Sequence, residues 1–192
     1  MKNVLIISGP TGSGESTITK EIIRRFPAFR RLVTATSRAP RLREQNRLDY
    51  YFFSKAAFEE KIKSGEIIEY TYIKNRGVYY GTYKLDLETK INQGYNVIAN
   101  TDIVGTKFYK RRYGATAIFI KSDLEDIRQR LKMRQPDISL TELGQRVENA
   151  AKEIAEEEVF YDYIVYNRQG QLETAIDEVV QILKQAGYSF FK

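Results

Sequence analysis

The chain of 192 residues has no cysteine, no histidine and no tryptophan, and only two methionines and four prolines. Without cysteine there are no disulfides and no thiolate metal sites, which fits a cytoplasmic setting. Without histidine there is no His-based triad, no imidazole metal ligand and no side chain of the usual kind for general base work near neutral pH. The chemistry left open works by positioning and charge, as phosphoryl transfer does. No apolar run approaches the length of a membrane span, and the first one is short and leads straight into glycines, so neither a membrane segment nor a secretory leader is expected. Internal repeats, low-complexity tracts and Pro/Gly/Ser linkers are absent too. A chain of this length is expected to form one domain with a mobile appendage or two.

What is present is positive charge, +6 net, which points to an anionic partner. Arginines gather in two windows, 38–47 and 128–146, rather than along one helix face. The sharpest local signal is Gly9-Pro10-Thr11-Gly12-Ser13-Gly14-Glu15-Ser16, between the apolar run Val4–Ile7 and the helix-period segment that begins at Thr17. A buried strand that turns through three glycines into a helix lets backbone N–H groups and the helix N-terminus converge on an anion. Gly9, Gly14 and Ser16 match the phosphate-loop pattern GxxxxGK[ST] at the right spacing. Position 15 does not match, because glutamate stands where the pattern has lysine.

Along the chain, helices are expected over Glu15–Phe26, from Ser54 to about Ser64, over Leu85–Gln93, over 103–112 and through Met133. Ser122 with Glu125, and Ser139 with Glu142, read as capping boxes, the second opening a longer helix to about Glu158. Leu172, Ile176, Val179, Val180 and Leu183 form the apolar stripe of a last helix. Strands are expected at Leu32–Thr36, Tyr95–Ala99, Ala115–Ile120 and Tyr161–Tyr166. A hairpin is expected over 66–83 around Asn75-Arg76-Gly77. The alternation implies an α/β fold with a parallel sheet covered on both faces, the hairpin standing over the carboxyl ends of its strands.

In order along the chain stand the glycine loop, Thr36-Ser37-Arg38-Ala39-Pro40-Arg41 with Glu44 and Asp49-Tyr50, Ile68-Glu69-Tyr70, Tyr79-Tyr80-Gly81-Thr82, and Asp162 to Asn167. In these five motifs, and over nearly its whole length, the chain resembles the guanylate kinase family, which moves the terminal phosphoryl of ATP to GMP. The resemblance implies a three-layer P-loop kinase with core 1–33, 84–133 and 147–192, a β-rich GMP-binding region at 34–83 and a helical lid at 134–146. It implies that Arg38, Arg41, Tyr50 and Tyr80 hold the GMP phosphate and that Thr34, Glu69, Thr82 and Asp102 read guanine. ATP would lie on Gly9 to Ser16 and Thr17, with Arg130, Arg134 and Asn167 around it, and Mg²⁺ on Ser16. Arg38, Arg134, Arg146 and Glu15 are the expected catalytic groups.

The chemistry agrees with that assignment. Guanine presents adjacent N–H and NH₂ donors that one carboxylate accepts together, whereas AMP would leave Glu69 buried and unpaired. An arginine fork suits a phosphate monoester.

Four positions depart from the family pattern: Glu15, Asn100 in place of the first aspartate of a DxD pair, and Arg43 and Arg47 where glycine is common. Because a metal-side aspartate is lost where a loop carboxylate is gained, Glu15 and Asn100 are expected to be a coupled exchange, with Lys107 or Arg43 helping to supply positive charge. The alternative is a catalytically impaired module that binds GMP or a phosphorylated peptide. A third reading, nucleic-acid binding through the basic surface, predicts a salt-dependent affinity that GMP does not displace. The sequence carries no signal for an oligomeric state.

Overall fold

Strand β1 (Val4–Ser8) is buried at every position, as a strand covered on both faces must be. The computed structural model, which describes residues 3–191, places β1 at the centre of a five-stranded parallel sheet. Its order is β2 (Phe29–Arg31), β7 (Asn96–Ala99), β1, β8 (Thr116–Lys121) and β9 (Tyr163–Tyr166). Alternation along β1 divides the core. Leu5 and Ile7 pack with Ile18 and Ile22 of α1 (Glu15–Arg25) and with Ile176, Val179 and Leu183 of α7 (Leu172–Gln185). Val4 and Ile6 face the other way, toward Leu87 of α3 (Lys84–Asn92) and Tyr109 of α4 (Ile103–Tyr113). The three layers expected from the sequence follow from this.

A second sheet of four strands runs β4 (Tyr51–Phe52), β3 (Ala35–Thr36), β6 (Val78–Tyr83) and β5 (Ile67–Ile73). The β5–β6 pair is the expected hairpin, turning through Lys74–Arg76 with Gly77 at φ +65°. Helix α2 (Lys55–Lys63) buries Phe58 against Ala35 and Ile67 beneath this sheet. Ser54 caps it by accepting from the Ala57 N–H at 3.2 Å. Helices α5 (Leu124–Arg134) and α6 (Leu140–Glu157) pack through Ile127, Leu131, Leu143 and Val147. Residues 134–146 are thus the end of α5, a turn and the start of α6, with Ile138 buried in the same cluster.

Two expectations are corrected. Of the strand expected at Leu32–Thr36 only Ala35–Thr36 is a strand, β3 of the small sheet, and the edge strand of the large sheet lies just before the expected range, at Phe29–Arg31. The Leu32 N–H still bonds Ile98 O of the large sheet at 2.8 Å, and the Val33 N–H then turns to Asp86 Oδ2 at 3.0 Å. Alternating apolar residues satisfy a sheet face without specifying which sheet. Ser122 does not cap α5, which starts after Asp123. Its hydroxyl is spent on the Ser13 and Asn167 carbonyls at 3.2 and 2.8 Å. The second box holds in part: Ser139 Oγ accepts from the Glu142 N–H at 3.1 Å, while the Glu142 carboxylate turns to Arg146.

Candidate nucleotide site

The carboxyl end of β1 feeds the glycine loop. Gly9, Gly12 and Gly14 have φ of +155°, +94° and +94°, a region that side chains disfavour. Substituents are excluded by space as well: a Cβ on Gly9 would strike the Ile120 carbonyl, and one on Gly14 the Asn167 amide. The N–H groups of Gly14, Glu15 and Ser16 meet no acceptor among the described residues, and α1 begins there with its dipole toward the loop. Ser13 Oγ is buried without a hydrogen-bond partner among the described residues. These are the donors a phosphate chain requires.

Three cavities join end to end over the strand ends. The first, about 210 Å³, is lined by Thr34, Tyr50, Glu69, Tyr80 and Asp102, with Thr71 and Ile73 beside them. It shares Asn100, Thr101 and Asp102 with a second of about 310 Å³, which reaches Gly9, Thr11 and Glu15. The third, about 300 Å³, shares Thr11 and Glu15 and runs along Gly12, Gly14, Ser16 and Thr17 to Arg130 and Arg134. Of the expected readers, Thr34, Tyr50, Glu69, Tyr80 and Asp102 line this trough together with the glycine loop, Arg130 and Arg134, while Arg38, Arg41 and Thr82 line none of the three cavities.

In the first cavity, burial and the nearby Asp102 carboxylate push Glu69 up to about 7, against the Thr82 hydroxyl that donates to it at 3.1 Å. Thr82 itself is buried, shared with Tyr109 Oη at 2.6 Å, and acts through Glu69. Asp102 caps α4 by accepting from the Gly105 N–H, and it takes the Thr71 hydroxyl at 2.9 Å.

Arg38 sits over the rings of Tyr50 and Phe52 and donates through Nε to Tyr80 Oη at 3.2 Å. Its fork is occupied by Glu44, with Nη1 and Nη2 at 2.8 and 2.9 Å from the two carboxylate oxygens. This pairing holds Glu44 down at about 2 and raises Arg38. The Arg41 N–H also donates to Glu44, and the Arg41 side chain is exposed.

Glu15 is where the structure and the sequence pattern meet. Burial pushes it up to about 7, while the Asn100 amide and the positive charge of Arg31 work against that and Glu153 adds to it. Asn100 Nδ2 donates to Glu15 Oε2 at 3.2 Å and to Ile7 O and Thr19 Oγ1 at 2.8 and 2.9 Å. The departure in the phosphate loop and the departure at the DxD pair therefore touch. Glu153 and Glu157 of α6, which no sequence signal marked, complete an acidic wall opposite Glu15 in the middle cavity.

Not every expected residue joins the trough. Arg146 pairs with Glu142 at 2.5 Å and lines none of the three cavities. Asn167, expected at the adenine, is buried behind the loop and donates to Ser13 O at 2.7 Å. Lys107 lies over the Phe160 ring, 3.8 Å from its centroid, and lines none of the three cavities. Among the described residues, no helix is long and apolar enough to cross a membrane.

A family model described as guanylate kinase matches residues 1–186. The guanylate kinase of Porphyromonas gingivalis is 40% identical over 164 residues, covering 83% of this chain and 86% of that one. That of Fusobacterium nucleatum is 34% identical over 181 residues, covering 93% and 94%. Among solved structures, the guanylate kinase from Anaplasma phagocytophilum superposes with a TM-score of 0.73 at 26% identity, over 97% of this chain and 86% of that one. With fold, motif order and likeness in agreement over nearly the full length, the chain belongs to the guanylate kinase family.

Proposed function

We propose that this protein transfers the terminal phosphoryl group of ATP to GMP. The observation that carries the reading is the continuity of the trough, with a guanine-sized cavity built on Glu69 at one end and the glycine loop at the other. Glu69 would accept the two adjacent guanine donors, and Thr82 holds its carboxylate in place. Arg38, Arg41, Tyr50 and Tyr80 would grip the monophosphate, with Arg38 braced by Tyr80. ATP would lay its phosphates on the free loop amides beside Arg134, and in-line attack by the monophosphate needs no dedicated general base.

Magnesium fits the donors present. The Ser16 hydroxyl makes no hydrogen bond among the described residues, and Glu15 is next to it. No group of three or more Asp and Glu is arranged as a metal cage among the described residues. A cation carried mainly on substrate phosphates needs none. Bound there, magnesium would draw charge off the phosphate oxygens.

The test is to titrate GMP and ATP·Mg²⁺ separately and then together while assaying ADP and GDP. Binding of both with formation of both products supports the kinase. GMP binding without ATP binding or turnover supports instead a module that has kept the monophosphate pocket and lost the donor seat.

A further inference from the structure

Against the carbonyls of the glycine loop lies a polar cluster, with Arg130 also at the rim of the third cavity. Arg130 Nη1 donates to the carbonyls of Gly12 and Ser13 at 3.3 and 3.2 Å and to Ser122 Oγ at 2.9 Å. Its Nη2 donates to Asn167 O at 2.9 Å. The Asn167 amide donates back to Ser13 O at 2.7 Å, and the Ser122 hydroxyl is shared between Ser13 O and Asn167 O. Ser13, Ser122 and Asn167 are 0%, 2% and 4% exposed. Three donors therefore converge on the single carbonyl of Ser13, which is itself fully buried. That is one more than an orphan acceptor needs, and one of the three carries a full positive charge.

The consequence follows from the geometry of a trans peptide, in which the carbonyl of one residue and the N–H of the next point in opposite directions. Pinning the Ser13 carbonyl from behind aims the Gly14 N–H forward into the loop, where no described residue accepts it. The guanidinium also polarises that peptide, so that its forward end is a stronger donor. Asp126 Oδ2 lies 3.9 Å from Arg130 Nη2 and balances part of its charge, so the guanidinium acts chiefly by holding the peptide in place.

We infer that Arg130, with Ser122 and Asn167, is a positioning clamp that sets the Ser13–Gly14 peptide for the triphosphate. This rests on the reading that ATP occupies the loop. It differs from a role for Arg130 on the base of the nucleotide, because a clamp acts on any triphosphate chain.

The experiment uses calorimetric titration of the full chain with ATP·Mg²⁺, inorganic tripolyphosphate·Mg²⁺ and GMP, on the native protein, Arg130→Ala, Arg130→Lys and Asn167→Ala. The clamp predicts that Arg130→Ala weakens ATP and tripolyphosphate by the same factor, roughly ten- to a hundredfold as for groups that orient a binding shell, with GMP binding preserved. Arg130→Lys recovers part of both affinities, and Asn167→Ala loses a smaller amount of both. The Gly14 amide resonance shifts in each variant without ligand. An Arg130→Ala protein that loses ATP affinity alone overturns the clamp in favour of a contact with the base, and so does unchanged affinity for both. If the native chain takes GMP and neither triphosphate, it is the donor site that fails, and the clamp's role with it.

Discussion

Glu69 carries the clearest prediction at the scale of one residue. Its proton is held up to about 7 by burial, and guanine needs the ionised carboxylate. Between pH 8 and pH 6 the ionised fraction falls about tenfold, and GMP affinity should fall with it. Glu69→Gln should bind GMP weakly and lack this dependence, which separates it from ionisation of the GMP phosphate itself. Stability gives a second reading. The folded value lies above the unfolded one of 4.5, so the folded state keeps a proton that the unfolded chain has released. Unfolding free energy should therefore drop as pH rises from about 4.5 to 7, then level off. Glu69→Gln should flatten that slope in urea titrations. Arg43 and Arg47 make the opposite case, exposed side chains on strained backbone, with φ of +75° and +69°. Each glycine replacement should stabilise the fold by about 0.5–1 kcal/mol, the left-handed penalty less the entropy that glycine adds to the unfolded chain, and chemical denaturation measures it. The family resemblance marked both positions as commonly glycine. It marked Glu15 and Asn100 as altered and expected them to be linked, and the hydrogen bond between them supplies the link. Glu15→Lys alone would aim an ammonium at the Asn100 amide donor, so activity should stay at or below native. Adding Asn100→Asp should restore a pair, with a coupling of about 1 kcal/mol or more in a double-mutant cycle. Equal rates for the single and double variants would show that the two positions are independent.

Between elements, the two sheets are joined at one buried carboxylate. Asp86 of α3 accepts from the Val33 N–H, where the chain leaves the large sheet, from Tyr51 Oη of the small sheet at 3.1 Å, and from Lys90 at 2.5 Å. Lys90 also reaches Arg31 O at 2.8 Å. Asp86→Ala would strand these donors and leave a half-buried ammonium unpaired, a loss of about 3 kcal/mol, to be read from urea denaturation. KM for GMP should rise more than KM for ATP, since it is the small sheet that loses its anchor. The sequence showed no sign of this junction. The helices were readable because their apolar spacing reports a single buried face, and the parallel core because its inner strands are largely apolar. The stretch Leu32–Thr36 cannot say that it links one sheet to another, and Phe29–Arg31, with two arginines, does not read as a strand at all. Ser122 misled for a related reason: the spacing Ser-x-x-Glu describes a cap, but a hydroxyl goes to whichever carbonyls the fold brings near, and here these are Ser13 and Asn167.

For the molecule as a whole, charge is distributed against the direction of transfer. The basic loop lies at the acceptor end, whereas the middle of the trough is walled by Glu15, Asp102, Glu153 and Glu157. Burial raises Glu15, Glu153 and Glu157 toward their neutral forms, with a neighbouring carboxylate adding to each. These groups are in tension with the triphosphate that the loop amides invite. Two unit charges about 8 Å apart at an effective dielectric near 20 interact by about 2 kcal/mol, roughly a thirtyfold change in affinity for a single uncompensated carboxylate. Chelating the divalent ion should therefore cost ATP at least about thirtyfold in affinity while GMP, on the arginine and Glu69 contacts proposed for it, changes little. Raising ionic strength should separate the two in the opposite sense, weakening GMP through the exposed arginine loop and sparing ATP·Mg²⁺ in the enclosed trough. Calorimetric titrations of each nucleotide with EDTA or magnesium, at low and high salt, test both statements. An ATP affinity indifferent to magnesium would mean that the acidic wall does not face the phosphates, and with it would fall the idea that this chain meets its donor only as a metal complex.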